Sequence, residues 1–432
     1  MTCNRGGILL PTVQISANEA LILSVTVAEG VAQLCSNIAT PAETESVDLE
    51  EANGRYLAEA FLTPFPMPPF RRSMMDGYAI RSEWTEAATP NNPLLIKTAG
   101  ESRAGMIVMD DADAEPRALR VFTGAPVPDF YDTVIVQEMV AIRSASKSGK
   151  RIAIDRRVPA GNHIAEAGED VPQHTSLLHP GTKLGAREMA ILASYGKPSV
   201  VVYKKPIAVV LPIGDELQPQ GTSLLPNHIY DSNGVTAAMF ATQLGVKAIR
   251  RKPVQDELEA IALELDAAFE QADIVITTGG VSVGDYDYAE RAAVKSGWEP
   301  VFTKVLMRPG TPTSAFRRGS KLLLCLSGNP SACYAALELL AKPVLRKLTG
   351  SASYESVWMA GVLDGSIRKP CPYPRYLRAV AQFTDGQWKI SPLPNDRSGN
   401  IAAFSVANAL AVIPAGGKGA SAGEIASFTL LT

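Results

Sequence analysis

The sequence predicts a multidomain protein of α/β plus β class, built around a central doubly wound α/β domain with a mostly parallel sheet. Three observations predict it. A chain of 432 residues is too long for one ordinary core. From Lys205 onward, apolar strand-like runs are followed by Gly-containing turns and then by helical patterns, three times over. On either side of that stretch, short alternating runs broken by Gly, Pro and Asp read as a small β-rich domain and a C-terminal β domain.

The elements follow in order. Ser16-Ala-Asn-Glu19 has the pattern of a capping box, and predicts a helix running toward Asn37. Ser46 precedes "VDLEEANGRYLAEAF", a second helical pattern with acidic residues in its first turn. Prolines 64, 66, 68 and 69 make "TPFPMPPF" extended and stiff. From Met75 to about Ile154, runs such as "LLIKTA", "ALRVFTG" and "DTVIVQEMVAI" suggest strands. "AREMAILASYG" is helical and ends at Gly196. Then "PIAVVLPIGDEL", "ADIVITTGGVSVGDYDY" and "KLLLCLSGNPSACYAALELL" each open as a strand, with "SNGVTAAMFATQLG" a helix after the first. The tail from about Ser356 alternates again ("YLRAVAQFT", "GQWKISPL", "NALAVIPA").

Composition narrows the function classes. Hydrophobic residues at 46% and charged residues at 20% are those of a soluble globular protein, and a net charge of −3 argues against a nucleic-acid footprint. Five scattered cysteines without a CxxC pair read as free thiols of a reducing compartment. Four histidines without HExxH make a histidine metal site unexpected. The N-terminus does not read as a signal peptide and no run is long enough to span a bilayer, so the expectation is a cytoplasmic protein with no membrane partner.

In a parallel sheet, ligands bind beyond the carboxyl ends of the strands. Three loops arrive there: "PIGDEL", "TTGGVSVGDYDY" and "LSGNPSA". Backbone N–H groups at Gly279, Gly280, Gly328 and Asn329 are candidates to cradle phosphate oxygens, and Ser282 is a further substrate-binding candidate, with a plain tight βα turn as the alternative for each loop. Glu216, Asp285 and Asp287 would repel a bare phosphate, and Mg²⁺, which takes a few carboxylates plus substrate phosphate oxygens, reconciles the two. Lys304 and Arg308 in "FTKVLMRPGTP" are either solvated charges or cations aimed at a fixed anion. Asp76 in "RRSMMDGYAI" is either an Asp-Gly turn or a carboxylate directed at another subunit or domain.

These stretches together resemble the molybdopterin molybdenumtransferase family, the bacterial MoeA proteins and the E domain of gephyrin. The matching blocks are "SMMDGYAIR", "FTGAPVP", "AGEDV", "GDEL" with "IYDSNG", "TTGGVSVGDYDY", "KVLMRPGTP", "SGNPSA" and "ANALAVIP", in family order over nearly the whole chain. The resemblance implies an N-terminal segment and helix (1–44) packed on the α/β domain, and an elongated connector domain (45–62 and 160–204). It further implies a β-rich domain with the DGYA motif (63–159), an α/β molybdopterin-binding domain like that of molybdopterin adenylyltransferases (205–354), and a C-terminal β domain (355–432). It implies a homodimer with its active site in a cleft between subunits. The implied reaction is Mg²⁺-dependent insertion of molybdenum from molybdate, the second substrate, into adenylylated molybdopterin with release of AMP. The molybdopterin adenylyltransferase is a further expected partner.

Carried over by motif, Asp76, Asp170, Glu216 and Asp287 match the family's functional carboxylates, and Thr123 the threonine of TGAPVP. Lys304 matches the first lysine of its motif, and Arg308 stands where many members have a second lysine. Arg378 and Ser398 resemble residues placed near the molybdate site. Carboxylates holding Mg²⁺ on the phosphoanhydride and fixed cations stabilising developing charge require no nucleophilic side chain. The chain departs from the family at Pro212-Ile213, Ser327, Ala165 and Arg251-Lys252; the last pair stands where Asp-Asp is frequent, with Asp256 coming only later.

Overall fold

A computed structural model describes residues 23–36, 38–106, 116–146, 149–281, 288–368, 370–394, 399–417 and 419–432. The chain divides into two units. One comprises residues 1–58, 180–185 and 199–432; the other comprises residues 59–179 and 186–198.

At the centre of the first unit is a six-stranded sheet in the order Lys247–Arg250, Ile207–Pro212, Ile274–Thr278, Lys321–Leu326, Ser314–Arg318, Glu299–Phe302. The first four strands run parallel; Ser314–Arg318 runs against them, and Glu299–Phe302, antiparallel to that strand, runs with them again. Side chains alternate across the pleat: Ala208 and Val210 enter one buried cluster, Val209 and Leu211 the other. Helix Ser232–Gln243 covers the first face and helices Leu258–Gln271 and Tyr288–Lys295 the second, giving the doubly wound arrangement the sequence predicts. In the same unit Met359–Leu363, Gln387–Pro392, Arg375–Thr384, Ala409–Ile413 and Ile425–Leu430 close into a five-stranded barrel filled by Leu377, Ala411, Ile390 and Phe428.

Two N-terminal expectations need correction. The stretch entering the first helix is not helical: Ser24–Val25 is a strand paired with Lys304–Val305, and the helix is Val27–Ser36. Its capping box is Thr26–Glu29, in which Thr26 N–H donates to the Glu29 carboxylate (2.8 Å) and Glu29 N–H donates to Thr26 Oγ1 (3.2 Å). Ser16–Glu19 lies outside the described residues. The pattern from Ser46 is likewise not a helix. Thr44–Asp48 pairs antiparallel with Ser199–Tyr203, and only a 3₁₀ turn, Leu49–Ala52, follows. A β-branched partner strand, "SVVVY", outweighs a weak local helix preference.

The second unit is built on a six-stranded sheet, Thr133–Val136, Gly77–Ile80, Arg117–Val121, Leu94–Ser102, Gly149–Ile154, Ala141–Ser146. Only Leu94–Ser102 and Arg117–Val121 are parallel neighbours. Tyr78 and Ile80 pack on one face, Ala79 on the other. Two short pairs, Arg72–Ser73 with Ile164–Ala165 and Phe61–Leu62 with Ser176–Leu178, and the helix Ala186–Ser194 complete it.

Candidate functional site

At the carboxyl ends of the parallel strands the three loops meet backbone to backbone. Ile213 N–H donates to Thr278 O (2.9 Å), and Gly279 N–H donates to Leu326 O (2.9 Å). Gly279 has φ +89°, and a Cβ there would fall 2.2 Å from the Ile213 carbonyl oxygen, so only glycine fits. A Cβ on Gly328 would lie 3.5 Å from the Gly279 Cα. Asn233, in the first turn of its helix, donates to Gly328 O (2.8 Å) and fastens the third loop to the first helix. Asp231 caps that helix, accepting from Gly234 N–H (2.7 Å), and is held by Arg250 at 2.8 Å. Gly280 adjoins this junction. Asn329 is exposed beside it, its N–H turned to Ser327 Oγ (3.2 Å).

Glu216 is exposed at the rim, with its carboxylate folded back over Gly214. Beside it is a residue that the sequence shows but does not place. Val254 pairs with Ile213 and brings Asp256 to the loop, where its N–H donates to Asp215 Oδ1 (3.2 Å). The Asp256 carboxyl is pushed above the usual carboxylate range by burial, then by the charges of Asp215 and Glu216. The available signal was its position in the turn between the edge strand and helix Leu258–Gln271. Among the described residues no three His, Cys, Asp or Glu side chains form a metal cluster. Asp285, Asp287 and Ser282 lie outside the described residues, as does Ser398.

The second group of candidates lies along the seam between this domain and the barrel. Lys304, half-buried, is placed by strand pairing with Ser24, and its ammonium sits 5.6 Å from the centre of the Tyr373 ring. Arg308 bridges to Arg375 of the longest barrel strand and leaves its side chain exposed. Gly310, two residues on, lies against Ala332 of the helix that follows the "SGNP" loop. Arg378, three residues past Arg375, is 3% exposed; it donates to Asn400 O (2.5 Å) and stacks on Phe404 (5.5 Å). Phe404 in turn packs on Tyr334 of that same helix. Gly310 and the Arg378–Phe404–Tyr334 stack thus join the Arg308 loop and Arg378 to the helix that follows the third Gly loop, whereas Lys304 is placed by Ser24 and Tyr373.

In the other unit Asp76 and Thr123 come together. Asp76 Oδ1 accepts from both Thr123 N–H (2.8 Å) and Thr123 Oγ1 (2.9 Å). These two bonds, aided by Arg120, hold the Asp76 carboxyl below the usual range. The next residue, Gly77, must be glycine because a Cβ would fall 2.1 Å from Ile135 O. Asp170 stands apart from this pair, exposed, 3.9 Å from Arg72. No helix among the described residues is long and apolar enough to cross a membrane, and Cys35, Cys325, Cys333 and Cys371 are buried thiols outside any disulfide.

Three family models match successive stretches of the chain. Residues 25–196 match the MoeA N-terminal region (domain I and II), residues 209–347 a probable molybdopterin binding domain, and residues 360–431 the MoeA C-terminal region (domain IV). The chain is 32% identical over 409 residues to the molybdopterin molybdenumtransferase of Bacillus subtilis, covering 94% of each. It is 33% identical over 386 residues to that of Staphylococcus epidermidis, covering 89% of this chain and 90% of the other. Among solved structures, a molybdopterin biosynthesis MoeA protein from Pyrococcus horikoshii is similar at 26% identity with a TM-score of 0.81, over 94% of this chain and 99% of that one.

Proposed function

The chain belongs to the molybdopterin molybdenumtransferase (MoeA) family, and from that premise we propose that it inserts molybdenum from molybdate into adenylylated molybdopterin, releasing AMP in a Mg²⁺-dependent reaction. The observation that carries the proposal is the meeting of the Ile213, Gly279 and Gly328 backbones at the carboxyl ends of the sheet, tied to the loop of Lys304 and Arg308. The Gly279 and Asn329 N–H groups, expected to cradle phosphate, are spent within the protein on Leu326 O and Ser327 Oγ, so we assign the pterin phosphate to the N–H groups of Gly280 and Gly328. Lys304, Arg308 and Arg378 suit oxyanions, molybdate among them.

We propose that Glu216 would hold Mg²⁺ together with Asp285 and Asp287, which follow the Gly loop in sequence, because carboxylate oxygens are the donors this hard divalent cation takes. Mg²⁺ bound there would neutralise phosphoanhydride charge. The chain's own residues bind and orient the two substrates, and Lys304 and Arg308 stabilise charge on the departing AMP or the incoming oxyanion. We further propose a cytoplasmic homodimer that works beside the molybdopterin adenylyltransferase.

The test is AMP release by the purified protein from adenylylated molybdopterin, with molybdate and Mg²⁺ supplied or withheld in turn. Release that requires both is the expected result. Release indifferent to molybdate would remove the proposal. Light scattering at micromolar protein tests the dimer.

A further inference from the structure

Arg120, half-buried on the strand Arg117–Val121, is not among the residues to which the family resemblance assigns a role. Its guanidinium is fixed on four sides. Nη1 donates to Gly77 O at 3.1 Å and Nη2 to Gln137 Oε1 at 2.5 Å. Its plane lies between two rings, 5.0 Å from the centre of Tyr78 and 4.9 Å from that of Phe122. Both hydrogen-bond partners flank Asp76. Gly77 is the next residue, and Gln137 N–H donates to Asp76 O at 3.0 Å. Phe122 immediately precedes Thr123, whose N–H and hydroxyl bind the Asp76 carboxylate. One side chain thus touches three segments around Asp76, those of Gly77-Tyr78, Gln137 and Phe122-Thr123.

We propose that Arg120 is a positioning residue for Asp76, clamping the Gly77, Gln137 and Phe122-Thr123 segments so that the carboxylate keeps its Thr123-bound orientation. The proposal rests on the reading of Asp76 as a functional carboxylate. A planar fork between two aromatic faces suits the task, because its donors are pre-aligned and little freedom is lost on binding. Tyr78 is itself held from the far side by Lys150, whose Nζ donates to Tyr78 OH at 2.7 Å. The other charged groups nearby have partners of their own: Glu138 accepts from the Gln137 amide (3.2 Å), Arg72 faces Asp170, and Glu101, cross-strand from Arg120, pairs with Arg103 (2.5 Å), which itself lies 5.7 Å from the Phe122 ring centre. Arg120 is the charge that adds to Thr123 in lowering the Asp76 carboxyl.

Arg120→Gln, Arg120→Lys, Gln137→Ala and Asp76→Asn are compared in the full-length protein. The readouts are AMP release against pH and substrate, and ¹³C NMR titration of the Asp76 carboxyl. Arg120→Gln is expected to lower kcat about tenfold with KM little changed and to move both the Asp76 titration and the acid limb of the rate upward. Arg120→Lys should recover part of both. Gln137→Ala, which removes one anchor and leaves the charge, should lower kcat severalfold, and it decides the matter if Arg120→Gln does not fold. Unchanged kcat and unchanged titration in Arg120→Gln or, failing that, full activity in Gln137→Ala would overturn the proposal. Full activity in Asp76→Asn would instead remove the functional reading of Asp76, with the NMR titration still reporting whether Arg120 acts on it.

Discussion

Tyr376 donates its backbone N–H to the carbonyl oxygen of Arg308 at 2.8 Å, while the Arg308 N–H donates to Pro374 at 3.0 Å. The "LMRPG" loop is thereby hydrogen-bonded into the barrel as if it were a short extra strand. Its backbone is fixed and its cationic side chain is left at the surface, a division expected where a loop presents charge to a ligand. Lys304 is anchored in the same way from the other side by its pairing with Ser24.

Replacing the cations should therefore affect turnover more than folding. Lys304→Ala is expected to lower molybdate-dependent AMP release at least about tenfold, equivalent to roughly 1.4 kcal/mol. Arg308→Lys should cost less, since charge is kept and only fork geometry is lost. Melting temperatures should move little, because a partly exposed cation contributes little to folding. A sharp fall in melting temperature for Lys304→Ala, with activity per folded molecule intact, would make that lysine structural.

Gly279→Ala should disrupt the meeting point of the loops. Alanine at φ +89° costs about 1–2 kcal/mol by itself, and its Cβ would collide with the Ile213 carbonyl at 2.2 Å, where no flexible side chain can give way. A loss of at least about 2 kcal/mol is expected, together with loss of substrate binding. Gly386→Ala, also at positive φ but with nothing within 4 Å, isolates the backbone term. Equal melting temperatures for the two variants would contradict the close-approach argument.

What the sequence made legible follows from where local and global forces agree. The runs "IAVVL", "DIVIT" and "KLLLCL" are apolar on both faces because the sheet is covered on both, and so they read clearly as strands. Asp76 and Thr123 stood out as motif residues, but their mutual hydrogen bonds are a matter of neighbouring strands and could not be read from spacing. The misreadings have the same origin. "VDLEEANGRYLAEAF" carries helical periodicity, yet a partner strand 150 residues away claims its first part. Asp256 was visible in the sequence but could not be placed, because only the pairing of Val254 with Ile213 brings it to the Asp215 loop.

A buried ion pair offers a separate test of packing. Lys342 Nζ lies 2.8 Å from Glu338 Oε2, with side chains 7% and 0% exposed, and Glu338 also accepts from the N–H and Oγ1 of Thr432. Lys342→Met should cost about 3 kcal/mol, because it strands a carboxylate in an apolar core. The double variant Glu338→Leu with Lys342→Met should recover most of that loss. A double variant less stable than Lys342→Met would show that the pair is net stabilising here. Chemical denaturation of the three proteins decides between the two outcomes.

The bond between Thr123 and Asp76 predicts a pH effect whose sign is fixed. Three groups lower the Asp76 carboxyl below its ordinary 3.8: the Thr123 N–H first, the Thr123 hydroxyl second, and Arg120 after them. A depressed carboxyl stays ionised to lower pH, so any activity that needs the ionised form is present above the folded value and lost as pH falls through it. Thr123→Val removes the hydroxyl donor while leaving the N–H in place. The folded value should then rise toward 3.8, and the acid limb of kcat/KM should move to higher pH with it. Thr123→Ser, which keeps the hydroxyl, should leave the limb where it is. Near neutral pH the carboxylate is ionised in all three proteins, so Thr123→Val should approach the parent rate there if the threonine acts only through Asp76. A tenfold deficit that persists at neutral pH with an unmoved acid limb would mean that the Thr123 hydroxyl meets the substrate itself.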